Sequence, residues 1–214
     1  MKHKRIRPRL WTKDFSCITV ATVLSAIGGE AMNLPISLLV FDQTQSTLLS
    51  ALILVCGMLP DMILPILVAP LIDKGGKKKW IVGLDILLAT VYAAMGIWIT
   101  GHAFSYGLYV GFTLVVGTIS VFYRLAFDAW YPSLIPVGAE QRGYSVSATL
   151  YPLVTILMAP VATFLYSHVP MGTLFLVVSG LTVLSCLVEG CIREVRKGSW
   201  YRVAVGSVQS LQRP

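Results

Sequence analysis

The chain is 214 residues long, 56% hydrophobic and only 13% charged, with a mean hydropathy of +0.75. A soluble domain carries about 25% charged residues, so the composition excludes a water-soluble fold and predicts a membrane protein whose first partner is the lipid bilayer. The net charge of +7 would suggest nucleic acid in a soluble protein, but its distribution along this chain follows membrane topology, and no nucleic-acid partner is expected.

Residues 1–14 form a basic tail holding Lys2, Lys4, Arg5, Arg7, Arg9 and Lys13. A cleavable signal peptide is not expected, because the first apolar run is too long and contains Glu30. A bilayer-spanning helix needs about 20 predominantly apolar residues. Six segments qualify, at 15–41, 48–72, 80–100, 104–127, 144–167 and 171–191. The predicted fold is therefore an all-α membrane protein, a six-helix transmembrane bundle over 15–191 followed by a second tail over 192–214. Connections at 42–47, 101–103 and 168–170 are short, as antiparallel neighbours require. The fourth connection, 128–143, is longer and holds Pro132 and Pro136, which predicts irregular or interfacial structure.

Charge sets the expected orientation, since lysine and arginine accumulate in cytoplasmic loops. All 17 of them lie in the two tails, the second-to-third loop, or the region after the fourth span (Arg124 and Arg142); the three opposite connections have none. Both termini are thus expected in the cytoplasm, in a multi-pass protein of the cell membrane. The four cysteines, Cys17, Cys56, Cys186 and Cys191, sit inside or at the ends of apolar runs. Neither a disulfide framework nor a metal site is expected from them.

Charged residues inside the spans carry the functional expectations. Glu30 falls mid-way along the first segment and Asp61 mid-way along the second. A carboxylate at the bilayer centre costs at least about 2.5 to 3.5 kcal/mol on insertion scales. Such a group is retained where it faces a cavity, pairs, or takes a proton. Glu30, Asn33 and Ser37 follow i, i+3, i+7 spacing and share one helix face. Asp61 stands between Pro60 and Pro65, where missing backbone donors loosen a helix. Arg124 and Glu189 read as snorkelling residues at cytoplasmic helix ends. Gly107, Gly111 and Gly117 predict close helix approach by the fourth span.

The loop Ala69-Pro70-Leu71-Ile72-Asp73-Lys74-Gly75-Gly76-Lys77-Lys78-Lys79 is too charged for hydrocarbon, and its glycine pair reads as a turn. It resembles the loop between the second and third helices of the major facilitator superfamily, Gly-x-Leu-x-Asp-Arg-x-Gly-Arg-Lys-x-Arg. Leu71, Asp73, Gly76 and the basic pair Lys77-Lys78 carry the match; Ala69 replaces the leading glycine, and Lys74 and Lys77 replace arginines. The run Leu24 to Glu30, the close Val40-Phe41-Asp42-Gln43-Thr44-Gln45-Ser46, Asp85, and the stretch Phe122-Tyr123-Arg124 to Pro136 resemble the drug-efflux and siderophore-exporter branch. Ala159-Pro160-Val161-Ala162-Thr163 lacks the glycines of the antiporter pattern.

The resemblance implies half of a twelve-helix transporter. It turns the Glu30 and Asn33 face, with Asp61, toward a substrate path, as candidates for cavity lining or proton coupling. It makes Asp73, Gly76, Lys77 and Lys78 a cytoplasmic gating latch, with Asp85 as an intramolecular partner and Arg124 as a further candidate. The expected function is secondary active transport of a small molecule, in the direction of efflux, with a proton gradient as one candidate driving force. The expected partners are that substrate and a second six-helix half. The chain reads first as a half-length or truncated product. The alternatives are a half-size protein working as a parallel homodimer, and a non-transporting membrane binding or regulatory protein. No enzyme is expected: no His-Glu-x-x-His, phosphate-cradling loop or nucleophile–base pair is evident, and neither cofactor nor metal is implied.

Overall fold

The computed structural model describes residues 10–73, 76–136 and 138–192. The tail residues 1–9 and 193–214, and Lys74 with Gly75 in the loop, lie outside them, as do the side-chain surroundings of Asp73. The described chain is helical: α1 (Lys13–Thr44), α2 (Thr47–Asp73), α3 (Lys77–Gly101), α4 (Tyr106–Trp130), α5 (Glu140–His168) and α6 (Met171–Gly190). All six helices contain a stretch long and apolar enough to cross a membrane. A single 3₁₀ turn, Tyr131–Leu134, fills part of the long fourth connection. Its Tyr131 hydroxyl donates to the Gly143 carbonyl at 2.8 Å, folding the connection back onto the start of α5.

The helix ends extend the predicted segments for local reasons. Thr12 caps α1, its side chain accepting from the Phe15 N–H at 3.2 Å. At the other end Gln45 adopts the left-handed conformation, with φ of 53°, and its N–H closes on the Phe41 carbonyl. Proline does not end these helices: Pro35 lies within α1, and Pro152 and Pro160 within α5.

Packing does not follow chain order. The most extensive contact is α3 against α6, then α2 against α4, while the consecutive pairs α2–α3 and α5–α6 barely touch. Contacts α1–α2, α2–α4, α4–α3, α3–α6 and α6–α1 close a ring, and α5 leans on α1. Small residues set two of these contacts. A Cβ on Gly117 would stand 2.5 Å from the Gly57 carbonyl oxygen, so α4 meets α2 backbone to backbone. Gly96 and Gly172 do the same for α3 and α6, a Cβ on Gly96 meeting the Gly172 oxygen at 3.0 Å. Gly107 and Gly111 correct the expectation for α4: nothing lies within 4 Å of a Cβ at either, so both face outward.

The interior divides into two apolar clusters. One gathers Met32, Ile36, Val40, Ile53, Tyr92 and Met95 around the Tyr92–Phe112–Phe175 rings, whose centroids are 5.2 to 6.2 Å apart. The other gathers Phe15, Ile18, Val68, Ile72, Ile81 and Trp130 with the 3₁₀ turn. Outward-facing apolar side chains are heavily exposed, Ile66 at 82% and Met62 at 78%. Hydrocarbon is the solvent such a surface fits.

Candidate functional site

Glu30 and Asp61, the carboxylates midway along the first two helices, each find a partner on another helix, and together they form an open polar patch. Glu30 on α1 accepts a hydrogen bond from Thr155 Oγ1 on α5 at 3.0 Å. Asp61 on α2 pairs with Arg124 on α4: Nη1 donates to Oδ2 at 3.1 Å and Nη2 to Oδ1 at 2.8 Å. Tyr151, one turn before Thr155 on α5, lies within the electrostatic reach of Glu30, Asp61 and Arg124. The patch is open: Arg124 and Asp61 keep 52% and 40% of their side-chain surface exposed.

The i, i+3, i+7 face of α1 splits between two tasks. Asn33 is exposed beside Glu30. Ser37 instead turns to α2, where its hydroxyl meets Ser50 Oγ at 2.8 Å and Ser50 donates to the Ser37 carbonyl at 2.7 Å. That exchange ties the α1–α2 hairpin near its turn and removes Ser37 from the open surface.

The basic loop works on helix ends. Gly76 is the exposed N-cap of α3. Lys77 Nζ donates to the Ala129 carbonyl at the end of α4. Lys78 Nζ donates to the carbonyls of Gly190 and Ile192, at 2.8 and 2.6 Å, at the end of α6. The last carbonyls of a helix lack intrahelical partners and carry the negative end of its dipole, so two ammonium groups fit there. Asp73 is the last residue of α2. Asp85, expected beside this loop, is instead 1% exposed within the α3–α6 contact, where its carboxyl meets that of Glu189.

Tyr151 and Thr155 escaped the sequence reading, although their i, i+4 spacing puts both on one face of α5. Glu189 was read as a snorkelling end residue; it is fully buried, at 0% exposure. Among the described residues no group of acidic, histidine and cysteine side chains could hold a metal ion. The chain matches no protein-family model, no curated protein and no solved structure.

Proposed function

We propose that this chain is one six-helix half of a secondary transporter of the major facilitator type, sited in the cell membrane with both termini cytoplasmic. The patch of Glu30, Asp61, Arg124, Tyr151 and Thr155 lines its substrate path, with Asn33 beside it. The observation that carries this reading is the half-exposed Asp61–Arg124 pair on an otherwise apolar helix surface. Charged side chains in a bilayer face the bundle interior or a water-filled cavity rather than lipid. A second six-helix unit, or a second copy of this chain, closes the other wall of that cavity. A small amphipathic substrate fits a wall that mixes an ion pair, a tyrosine hydroxyl and apolar helix flanks. Efflux rests on the sequence resemblance alone.

The test is transport of fluorescent amphipathic cations and of siderophore-like anions in vesicles containing the chain, alone and with candidate second halves. Glu30→Gln and Asp61→Asn should each lower the flux at least tenfold with expression unchanged. Flux indifferent to both substitutions would overturn the assignment of the path to this patch. Absence of flux for every substrate, with ligand binding retained, would favour a non-transporting binding protein.

A further inference from the structure

Apart from the open patch, a second polar group is centred on two acids buried inside the protein. Asp85 on α3 and Glu189 on α6 are 1% and 0% exposed, and their carboxyls face one another across the α3–α6 contact. Tyr123 on α4 donates its hydroxyl proton to Glu189 Oε1 at 2.5 Å. Ser25 on α1 faces the Tyr123 hydroxyl and meets Ser185 Oγ on α6 at 3.1 Å. Ser185 in turn donates to the Ala21 carbonyl at 3.1 Å. Four helices thus contribute to one polar layer. Along each of them it falls between the two apolar clusters: Ser25 between Ile18 and Ala26, Glu189 between Val178 and Ile192.

The layer is short of a donor. Asp85 Oδ2 and Glu189 Oε2 are buried oxygens without a hydrogen-bond partner among the described residues. Ionised carboxylates only accept hydrogen bonds, so two of them in contact cannot satisfy one another. Nor, among the described residues, does a basic side chain serve them. Facing the pair are the Tyr123 phenol on α4, already given to Glu189, and the Cys186 thiol on α6, which leans on the Val82 carbonyl at 3.7 Å. From α1 comes only the uncharged Ser25. Lys78, on the same helix as Asp85, reaches past the layer to the Gly190 and Ile192 carbonyls. One proton between the two acids supplies the missing donor and satisfies both sides.

We propose that Asp85 and Glu189 form a proton-binding site, separate from the open patch, which holds one shared proton and clamps α3 to α6. The site stands on its own geometry and does not depend on the transport reading. Release of the proton leaves two like charges in a dry contact, where their repulsion is weakly screened. The contact that would then loosen is the most extensive one in the bundle. The proton leaves as hydronium, and no other bond changes.

The experiment is infrared difference spectroscopy of the full chain in lipid nanodiscs, titrated from neutral to alkaline pH in potassium chloride. A buried protonated carboxyl C=O band should be present at neutral pH and vanish on titration. Asp85→Asn and Glu189→Gln, which each supply an amide donor, should remove or shift that same band. Carboxyl-¹³C labelling of aspartate or of glutamate in the unsubstituted chain keeps the test open if a variant does not fold; at least one label should shift the band. A spectrum without such a band, or a band unmoved by both substitutions or by both labels, would overturn the proposal. Loss of the band on replacing potassium by sodium at fixed pH would also overturn it, as the mark of a metal-cation site.

Discussion

Arg124 grips Asp61 side-on, with two hydrogen bonds of 3.1 and 2.8 Å joining α4 to α2. Two-point pairing of this kind fixes geometry as well as charge. Its openness makes its environment measurable. If water fills the space before it, the pair is worth no more than about 1 kcal/mol. Asp61→Asn should then change unfolding free energy in nanodiscs by no more than that, while flux falls. If the face met lipid, an unpaired Arg124 would cost about 2.5 to 3.5 kcal/mol. Steric-trap unfolding in the bilayer separates the two outcomes. The exchanged pair Asp61→Arg with Arg124→Asp should recover part of the flux lost by either single reversal.

Close packing of α2 on α4 gives a second expectation. Gly117→Ala forces a methyl group to 2.5 Å from the Gly57 oxygen, so the helices must part. Overpacking of this sort costs about 1 to 3 kcal/mol. Gly111→Ala, earlier on the same helix, meets open space and should stay within about 0.5 kcal/mol of the original. Thermal unfolding of the two variants side by side checks this, because they differ only in what the methyl group touches. Equal losses in both would show that helix flexibility, rather than helix approach, is what Gly117 supplies.

These features also mark how far the sequence could be read. The six spans were legible because membrane length is set by apolar run, and each run is interrupted by a turn or charges. Helix ends were less so, because Thr12 and Gln45 cap α1 through local geometry that hydropathy does not register. Partnering was illegible: α3 lies on α6 and α2 on α4 because of non-local surfaces such as Gly96–Gly172 and Gly57–Gly117. The same limit hid the acid pair. Asp85 and Glu189 sit about a hundred residues apart, and Glu189 at the end of an apolar run has the look of an interfacial residue until α3 is packed against it. Glu30 and Asp61 stood out alone because each is an isolated charge in hydrocarbon-length sequence. Their partners Thr155 and Arg124 required the fold.

The lysine caps predict a local rather than global effect. Lys78→Gln removes an ammonium group from the Gly190 and Ile192 carbonyls. A cation at a helix C-terminus contributes about 0.3 to 1 kcal/mol, and up to about 2 when partly buried. Amide exchange should therefore quicken several-fold in the last turn of α6, with the middle of α6 unchanged. Lys77→Gln should do the same for the last turn of α4. Lys79, which is exposed, should give neither effect on substitution. Faster exchange throughout α6 would instead mean that Lys78 holds the helix in place.

Orientation is the expectation with the sharpest outcome. Read along the sequence, every lysine and arginine belongs to one side of the six spans or lies within reach of it, and the positive-inside rule predicts that this side faces the cytoplasm. Two exposed positions mark the opposite ends of α3. Gly76, at its start, has φ of −71°, which any residue adopts, and Ala103 lies just beyond its end. In a chain whose cysteines at 17, 56, 186 and 191 have been replaced, single cysteines at these positions report the topology directly. A membrane-impermeant maleimide added to intact cells should label Ala103→Cys and leave Gly76→Cys unmodified until the membrane is opened. The Lys77 and Lys78 caps would then lie on the cytoplasmic side, together with the acid pair's end of the bundle. The reverse pattern would put both termini outside, and the proton released by Asp85 and Glu189 would leave from the opposite face.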